Sequence, residues 1–524
     1  MLKKLPHAVP FLLTLALLLP VAGYRHLWQD EVETAERARS ILASGVPRVV
    51  DPEGRLSLNA GGLELEEGTL HRLSPWGQYY AGASGLAAGR VLGASEDASV
   101  RAPFIAAHAL TSSLLSLGLA SFGLPVAASV GVGTLLGAQT SRVLYNRSAR
   151  SPAFLDLLTL LGMLGLGALA RGDRRGRWPL AAAIFLLPQF HVFGGGLIAS
   201  LLALCAVYFY GEWRLAAASA GASLAALLAL TRPWAQAGWS RGNEHGFRSL
   251  SSVFEVSYAF FFLAAAVAFL WRKGSKRLAG ALLSLCAWSV LFVRLGDLHP
   301  YSESRYYLSL PLFLIFWPLA LPWPKGLAKP RKALIYAAFA AALLPEFLGV
   351  FEPWHGLRVV AADWSLQARG ERQPLRQALD AIRAANKGTA VLVDYAPQYV
   401  NWYLRGAPVA LMPDRSQRSE RGARNPLWAA PLVEPGWHLS YPTKFNGPWL
   451  CSPDCDYRAE GLTPTSKRYK LVSKALGKSF DMCVSGRWIT DAWNNAPFAE
   501  YELASLRPEG LRRDELVLAV RCAR

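Results

Sequence analysis

The chain has 524 residues, 52% hydrophobic and only 18% charged, with a formal net charge of +18. Soluble domains carry about 25% charged residues, so an ordinary soluble enzyme is excluded as a description of the whole chain. The basic residues concentrate in short connections between apolar runs rather than along one soluble face, which removes nucleic acid as the explanation for the charge.

The apolar runs fill residues 1–350 and are about 18 to 20 residues long, the length a helix needs to cross a bilayer. Residues 351–524 are richer in charge, Pro and Trp. The pattern predicts a polytopic α-helical membrane protein with a C-terminal mixed α/β soluble domain.

Leu5–Tyr24, behind Lys3 and Lys4, reads as the first span. A cleavable signal peptide is the competing reading, and the many later spans favour a retained anchor. A long external loop, about 25–100, follows. Its first part, YRHLWQDEVETAERARSILAS (Tyr24–Ser44), opens on the adjacent acids Asp30 and Glu31. Val32, Ala35, Ala38, Ile41 and Leu42 then recur at helical spacing. This predicts a short amphipathic helix lying along a membrane surface, with two carboxylates at its start. Asp30 stands three residues before Glu33, which is also a helix-start signature. Spacing alone leaves cap and catalyst both open.

Further spans are expected at about 101–121, 123–141 and 153–170, and residues 178–211 read as two short helices meeting near Pro188–Gly196. The remaining spans fall at about 214–232, 252–271, 277–296, 305–322 and 332–350, for about eleven in all. Strongly basic connections then share one side: Arg171, Arg174, Arg175 and Arg177, then Arg272, Lys273, Lys276 and Arg277, then Lys325, Lys329, Arg331 and Lys332. That places the N-terminus in the cytoplasm and the C-terminal domain outside. Gly133 and Gly137 in GVGTLLG have the GxxxG spacing of small residues that let spans pack closely.

Ionisable residues within the spans are few: His108, Asp156, His191 and Glu346. Asp156 and Glu346 sit near outer ends, whereas transporters place coupling charges near the midplane. The external side also holds Asn146–Pro152 and Arg294–Tyr307. Polar groups gathered at one face suit an interfacial enzyme better than a transporter.

In the C-terminal region an amphipathic helix is expected at about 370–386. Strands are expected at 389–395 and in PVALM, KRYKLVSKAL, FDMCVSGRWIT and ELVLAVRCAR. Cys451, Cys455, Cys483 and Cys522 fall here, and an external, oxidising location implies one or two disulfides. Four cysteines allow three pairings. Cys205 and Cys286 lie in spans and read as packing residues.

The order of features matches a family. An Asp-Glu loop after the first span leads to ARSILASG and then SPWGQYYAGASGLAAGRVLGASEDASVRAP; YNRSARSP and SESRYYLSLPLF follow. Over roughly residues 1–350 this resembles the GT-C superfamily of polyprenyl-phosphate-sugar-dependent glycosyltransferases. Within it the chain resembles bacterial enzymes related to protein O-mannosyltransferases and lipid A aminoarabinose transferases. The resemblance implies inverting transfer of a single sugar from a polyprenyl phosphate to an acceptor hydroxyl at the external face of a bacterial inner membrane. The acceptor would be a lipid, a glycan or a protein. Alternatives are a polysaccharide ligase or polymerase, and a non-enzymatic transporter of a sugar-lipid.

On this resemblance Asp30 orients or deprotonates the acceptor, and Glu31 orients Asp30 or a basic neighbour. Arg305 and Tyr306 meet the donor phosphate, although an arginine there also suits phospholipid headgroups. Arg147 and Arg150 lie in a segment that often reads Arg-x-x-Arg-Pro-Asp. Here Ala153 follows Pro152, so the second acid is displaced, and Asp156 either substitutes for it or pairs with Arg150. His191 lines the donor groove or braces a helix break. His299 and Glu303 bind the sugar, a metal or each other. No HExxH or Cys/His cluster is present, and no obligatory metal is expected.

Overall fold

The computed structural model describes residues 2–50, 68–232, 259–273, 275–296, 307, 309–323, 328–347, 354–385, 388–393, 402–405, 409–410, 435–440, 477, 482–491 and 513–521. The chain forms two compact units. The first contains residues 1–22, 72–94 and 98–362, and the second contains 23–71, 95–97 and 363–524. Composition alone puts the domain boundary at 350; packing groups the first part of the early loop with the C-terminal segment.

The first unit is helical. Its elements are α1 (Val9–Leu18), α3 (Gly77–Leu92), most of α4 (Glu96–Ser121), α5 (Val126–Gly137), α6 (Thr140–Asn146) and α7 (Pro152–Ala170). They continue with α8 (Arg177–Phe190), α9 (Val192–Tyr210), α10 (Trp213–Thr231), α11 (Ala259–Arg272), α12 (Lys276–Gly296), α13 (Ser309–Phe316) and α14 (Ala328–Phe347). The second unit holds α2 (Gln29–Ser44) and α16 (Pro374–Ala385), and α15 (His355–Ala368) runs from the first unit into the second.

Among the described residues five helices are long and apolar enough to cross a membrane: α4, α7, α9, α10 and α12 through Val293. Four further apolar helices are shorter. Prolines punctuate two of these. The first expected span becomes a 3-10 turn over Leu2–Ala8, with Pro6 inside it, and then α1. α13 stops at Phe316, and Pro318 converts the next residues to a 3-10 turn. The expected span at 123–141 divides at Ala138 and Gln139, where the Gln139 side-chain amide donates to the carbonyl of Ala342 at 2.8 Å.

α7 lies at the centre of this unit, against α8, α9 and α13. Leu160, Leu180, Leu187, Leu201 and Phe313 are fully enclosed there. Close helix approach rests on small residues. A β-carbon at Gly133 would lie 2.5 Å from the carbonyl oxygen of Ser112, so no larger side chain fits between α5 and α4. A β-carbon at Gly85 of α3 would lie 2.1 Å from the carbonyl oxygen of Ser99.

Among the described residues the second unit contains a sheet of five strands in the order β2-β1-β3-β5-β4. The strands are β1 (Ala390–Val393), β2 (Val409–Ala410), β3 (Pro435–Ser440), β4 (Met482–Asp491) and β5 (Arg513–Arg521). β1 pairs in parallel with β2 and β3, while β5 pairs antiparallel with β3 and β4. Trp437 of β3 and Cys483 of β4 both face Val520 of β5 in register. α16 packs on β4 and β5, and its Ala378, Leu379 and Ile382 are buried. β3 is not signalled by its sequence, because PGWHLS opens on the two residues least suited to a strand.

Candidate functional site

Two polar constellations stand out, and they belong to different compact units. In the second unit the chain reaches α2 through Trp28, whose extended backbone (φ −78°, ψ 172°) makes it the N-cap. Glu31 completes that start: its carboxylate accepts the backbone N–H of Trp28 at 3.1 Å, and the residue is fully buried. Asp30 lies in the first turn, half-buried, and its backbone carbonyl accepts the Thr34 hydroxyl at 3.2 Å. The cap residue is therefore Trp28 rather than Asp30, and the acid that satisfies an orphan donor is Glu31.

α2 is not a helix laid on a membrane surface with one dry face. Val32, Ala35 and Ala38 are buried as the pattern requires, but so are Thr34, Arg37, Arg39 and Ser40. Arg37 Nε donates to His71 Nδ1 at 3.3 Å, and the Arg39 guanidinium lies 5.5 Å from the centroid of the Trp402 ring. Charged side chains enclosed on the supposedly wet face make α2 an interior helix.

The chain leading into α2 is held by buried polar partners. Arg25 Nε donates to both carboxylate oxygens of Asp363, at 2.8 and 2.9 Å. Asp97, in the first turn of α4, accepts from Arg376, from the Tyr403 hydroxyl at 2.8 Å and from Trp402 Nε1 at 3.3 Å. The same Tyr403 oxygen accepts the backbone N–H of Leu27 at 2.6 Å, and Arg376 also donates to the carbonyl of Gly23 at 3.0 Å. Burial, reinforced by the Asp97 carboxylate, pushes the Tyr403 hydroxyl well above its ordinary pKa, so it remains a donor. Beside Asp97 opens a cleft of about 610 Å³ whose wall includes Arg376, Arg383, Tyr403 and Arg405.

In the first unit the centre is Asp156 of α7. One carboxylate oxygen accepts from Arg142 and from Asn146 Nδ2 at 3.0 Å; the other accepts the Ser309 hydroxyl at 3.0 Å. Asn146 Nδ2 also lies 3.1 Å from His108 Nδ1, and His108 Nε2 lies 2.9 Å from the carbonyl of Gly137. An amide can only donate to Nδ1, and a carbonyl can only accept from Nε2. This assigns His108 as the neutral Nε2–H tautomer. Arg142 and Asn146 stand one helical turn apart on α6, which is why both reach one carboxylate. The adjoining cavity is about 30 Å³, room for a water and not for a sugar. Its wall is polar at Gln139, Arg142, Asn146 and Asp156 and apolar at Leu312, Ile315 and Phe316.

Asp156 therefore pairs with Arg142 rather than with Arg150. Arg150 lies in the turn before α7, with its backbone N–H donated to Ser148 at 2.8 Å. His191 is the N-cap of α9, and its Nδ1 accepts the Gly194 N–H at 3.2 Å. The break between α8 and α9 falls at that residue, inside the interval expected from PQFHVFGGG. His299, Glu303, Arg305, Tyr306, Cys451, Cys455 and Cys522 lie outside the described residues; Cys483 is placed by its backbone in β4. Sequence reasoning missed Arg142, Asn146, Asp97 and Tyr403 as site residues. The available signal was the i, i+4 spacing of Arg142 and Asn146 between apolar segments. Among the described residues no three His, Cys, Asp or Glu side chains form a metal-holding group.

No family model matches the chain, and no curated relative matches it. Among solved structures it is similar to the oligosaccharyltransferase of Archaeoglobus fulgidus in its apo form. The identity is 14% and the TM-score 0.40, over 83% of this chain and 69% of that one.

Proposed function

We propose that the chain is a membrane glycosyltransferase of the GT-C type, transferring one sugar from a polyprenyl phosphate to an acceptor hydroxyl with inversion. The observation that carries the reading is the placement of Asp30. It sits in the first turn of α2, directly after the first apolar segment, at a helix start capped by Trp28 and completed by Glu31. The order of sequence features after it is the second support.

In the proposed reaction the Asp30 carboxylate takes the proton of the acceptor hydroxyl as its oxygen bonds to the anomeric carbon. The bond from that carbon to the phosphate oxygen breaks on the opposite face, and its electron pair leaves with the polyprenyl phosphate. The leaving group needs cationic hydrogen-bond donors. Arg305, Tyr306 and Arg150 take that role in this proposal. Glu31 supports the helix start rather than transferring a proton. His299 and Glu303 are proposed at the sugar, and no metal is assigned a step. The enzyme is placed in a bacterial inner membrane, with its N-terminus in the cytoplasm and its C-terminal domain outside. A disulfide among Cys451, Cys455, Cys483 and Cys522 is part of the same proposal.

Transport of a sugar-lipid is the second reading, favoured by the buried Arg142–Asp156 pair among apolar helices. The discriminating experiment uses the purified full chain with labelled polyprenyl-phosphate sugars and a membrane extract. Sugar-dependent release of free polyprenyl phosphate, with the label moved to an acceptor, supports transfer. Movement of intact donor across a proteoliposome bilayer without release supports transport.

A further inference from the structure

Three basic connections of the helical unit meet at one end. They join α7 to α8, α9 to α10 and α11 to α12. The Arg177–Glu212 ion pair, at 2.6 Å, brings the first beside the second. The Arg277 guanidinium, 5.3 Å from the ring centroid of Tyr208, brings the third beside the end of α9. The connections carry four arginines from Arg171 to Arg177, then Arg214, then Arg272, Lys273, Lys276 and Arg277, against only Asp173 and Glu212. Both acids are engaged: Glu212 by Arg177, and Asp173 by the backbone N–H of Arg175 at 2.9 Å.

Large aromatic side chains stand out from the same end. Trp178 is 79% exposed, and Trp213 and Trp271 are each 58% exposed. Cations lie over two of these rings: Arg214 is 5.3 Å from the ring centroid of Trp213, and Lys276 is 5.8 Å from that of Trp271. Exposed indoles are unfavourable in water but suit the headgroup layer of a membrane. Cations held beside them meet lipid phosphates at that depth. A zwitterionic lipid leaves this surplus of positive charge unneutralised; an anionic one does not.

We propose that this end of the protein binds the headgroups of anionic phospholipids, with Arg214, Lys276 and Arg277 among the cations that meet lipid phosphates and the tryptophans at the depth of the headgroups. The site is independent of the proposed transfer reaction.

The test titrates the purified full chain in detergent with phosphatidylglycerol, phosphatidylcholine or inorganic phosphate, reading bound lipid by native mass spectrometry and thermal stability in parallel. Phosphatidylglycerol is expected to bind and stabilise, with the other two inactive. The combined variant Arg214→Gln, Lys276→Gln, Arg277→Gln should bind phosphatidylglycerol at least about tenfold more weakly, as loss of three near-surface cations implies. Arg369→Gln, on an exposed residue of the second unit, should bind as wild type. Equal binding of phosphatidylcholine, an equal effect of phosphate, or unchanged affinity in the combined variant overturns the proposal. If that variant does not fold, the wild type decides: its phosphatidylglycerol binding must weaken as salt rises, and salt-independent binding overturns the assignment.

Discussion

The Tyr403 hydroxyl accepts the backbone N–H of Leu27 at 2.6 Å, tying a residue near the C-terminal sheet to the chain that enters α2. The same oxygen donates to Asp97, so one phenol satisfies a backbone donor and a buried carboxylate together. Tyr403→Phe removes both partners while keeping the ring. It should lower stability by about 1–3 kcal/mol, the cost of leaving buried polar groups unsatisfied. Urea or thermal unfolding in a fixed detergent measures this, and an unchanged midpoint rejects the anchoring role.

Tyr403 also sets a pH dependence. Its folded pKa is raised by burial and by Asp97, so the folded protein keeps a proton that the unfolded chain releases above tyrosine's ordinary value of about 10. Stability from this group is full below that pH and declines as pH rises through the window above it. Unfolding midpoints from pH 8 to 11 should fall more steeply for wild type than for Tyr403→Phe. Parallel curves would show that Tyr403 does not titrate in this way.

Arg142 and Asp156 form a buried ion pair with side chains only 10% and 4% exposed. Asp156→Asn leaves the guanidinium without its counter-ion and should destabilise by about 3–5 kcal/mol. Adding Arg142→Gln should recover part of the loss, because no uncompensated charge then remains. A double-mutant cycle on unfolding free energies reads this coupling, and simple additivity would contradict it.

His191 tests whether a residue at a helix break braces the fold or lines a donor groove. Its Nδ1 caps α9 by accepting from Gly194. His191→Ala should cost about 0.5–2 kcal/mol, and His191→Asn should restore most of it, because Asn is among the best N-cap residues. A loss of transfer activity in His191→Asn at full stability would instead place the imidazole at the substrate.

The fold was legible where periodicity and punctuation agreed. The helix break at PQFHVFGGG, the strand in FDMCVSGRWIT and the GxxxG packing of α5 follow from local pattern. What was not legible depended on long-range pairing. α2 reads as a surface helix because its arginines look solvated, and only the pairing of Arg37 with His71 and the stacking of Arg39 on Trp402 make it interior. Asp97 gives no sign in GASEDASVR that Tyr403 and Arg376, some 280 residues or more away in the chain, will surround it. Asp156 is visible in the sequence as an acid inside an apolar run, but the sequence does not show that Arg142, rather than Arg150, is its partner. The carboxylate cluster of α2 held a similar ambiguity, which geometry divides: Glu31 supports the helix start, and Asp30 is displaced from that duty.

The most direct test of the central claim is single-turnover transfer from a labelled polyprenyl-phosphate sugar to a validated acceptor, comparing wild type with Asp30→Asn. The substitution preserves shape and leaves the Trp28–Glu31 contact in place. Loss of a general base predicts a rate lower by about 10²–10⁴-fold, with donor binding and thermal stability retained. A rate for Asp30→Asn equal to that of wild type would contradict the assignment of Asp30 as the base and move transport ahead of transfer.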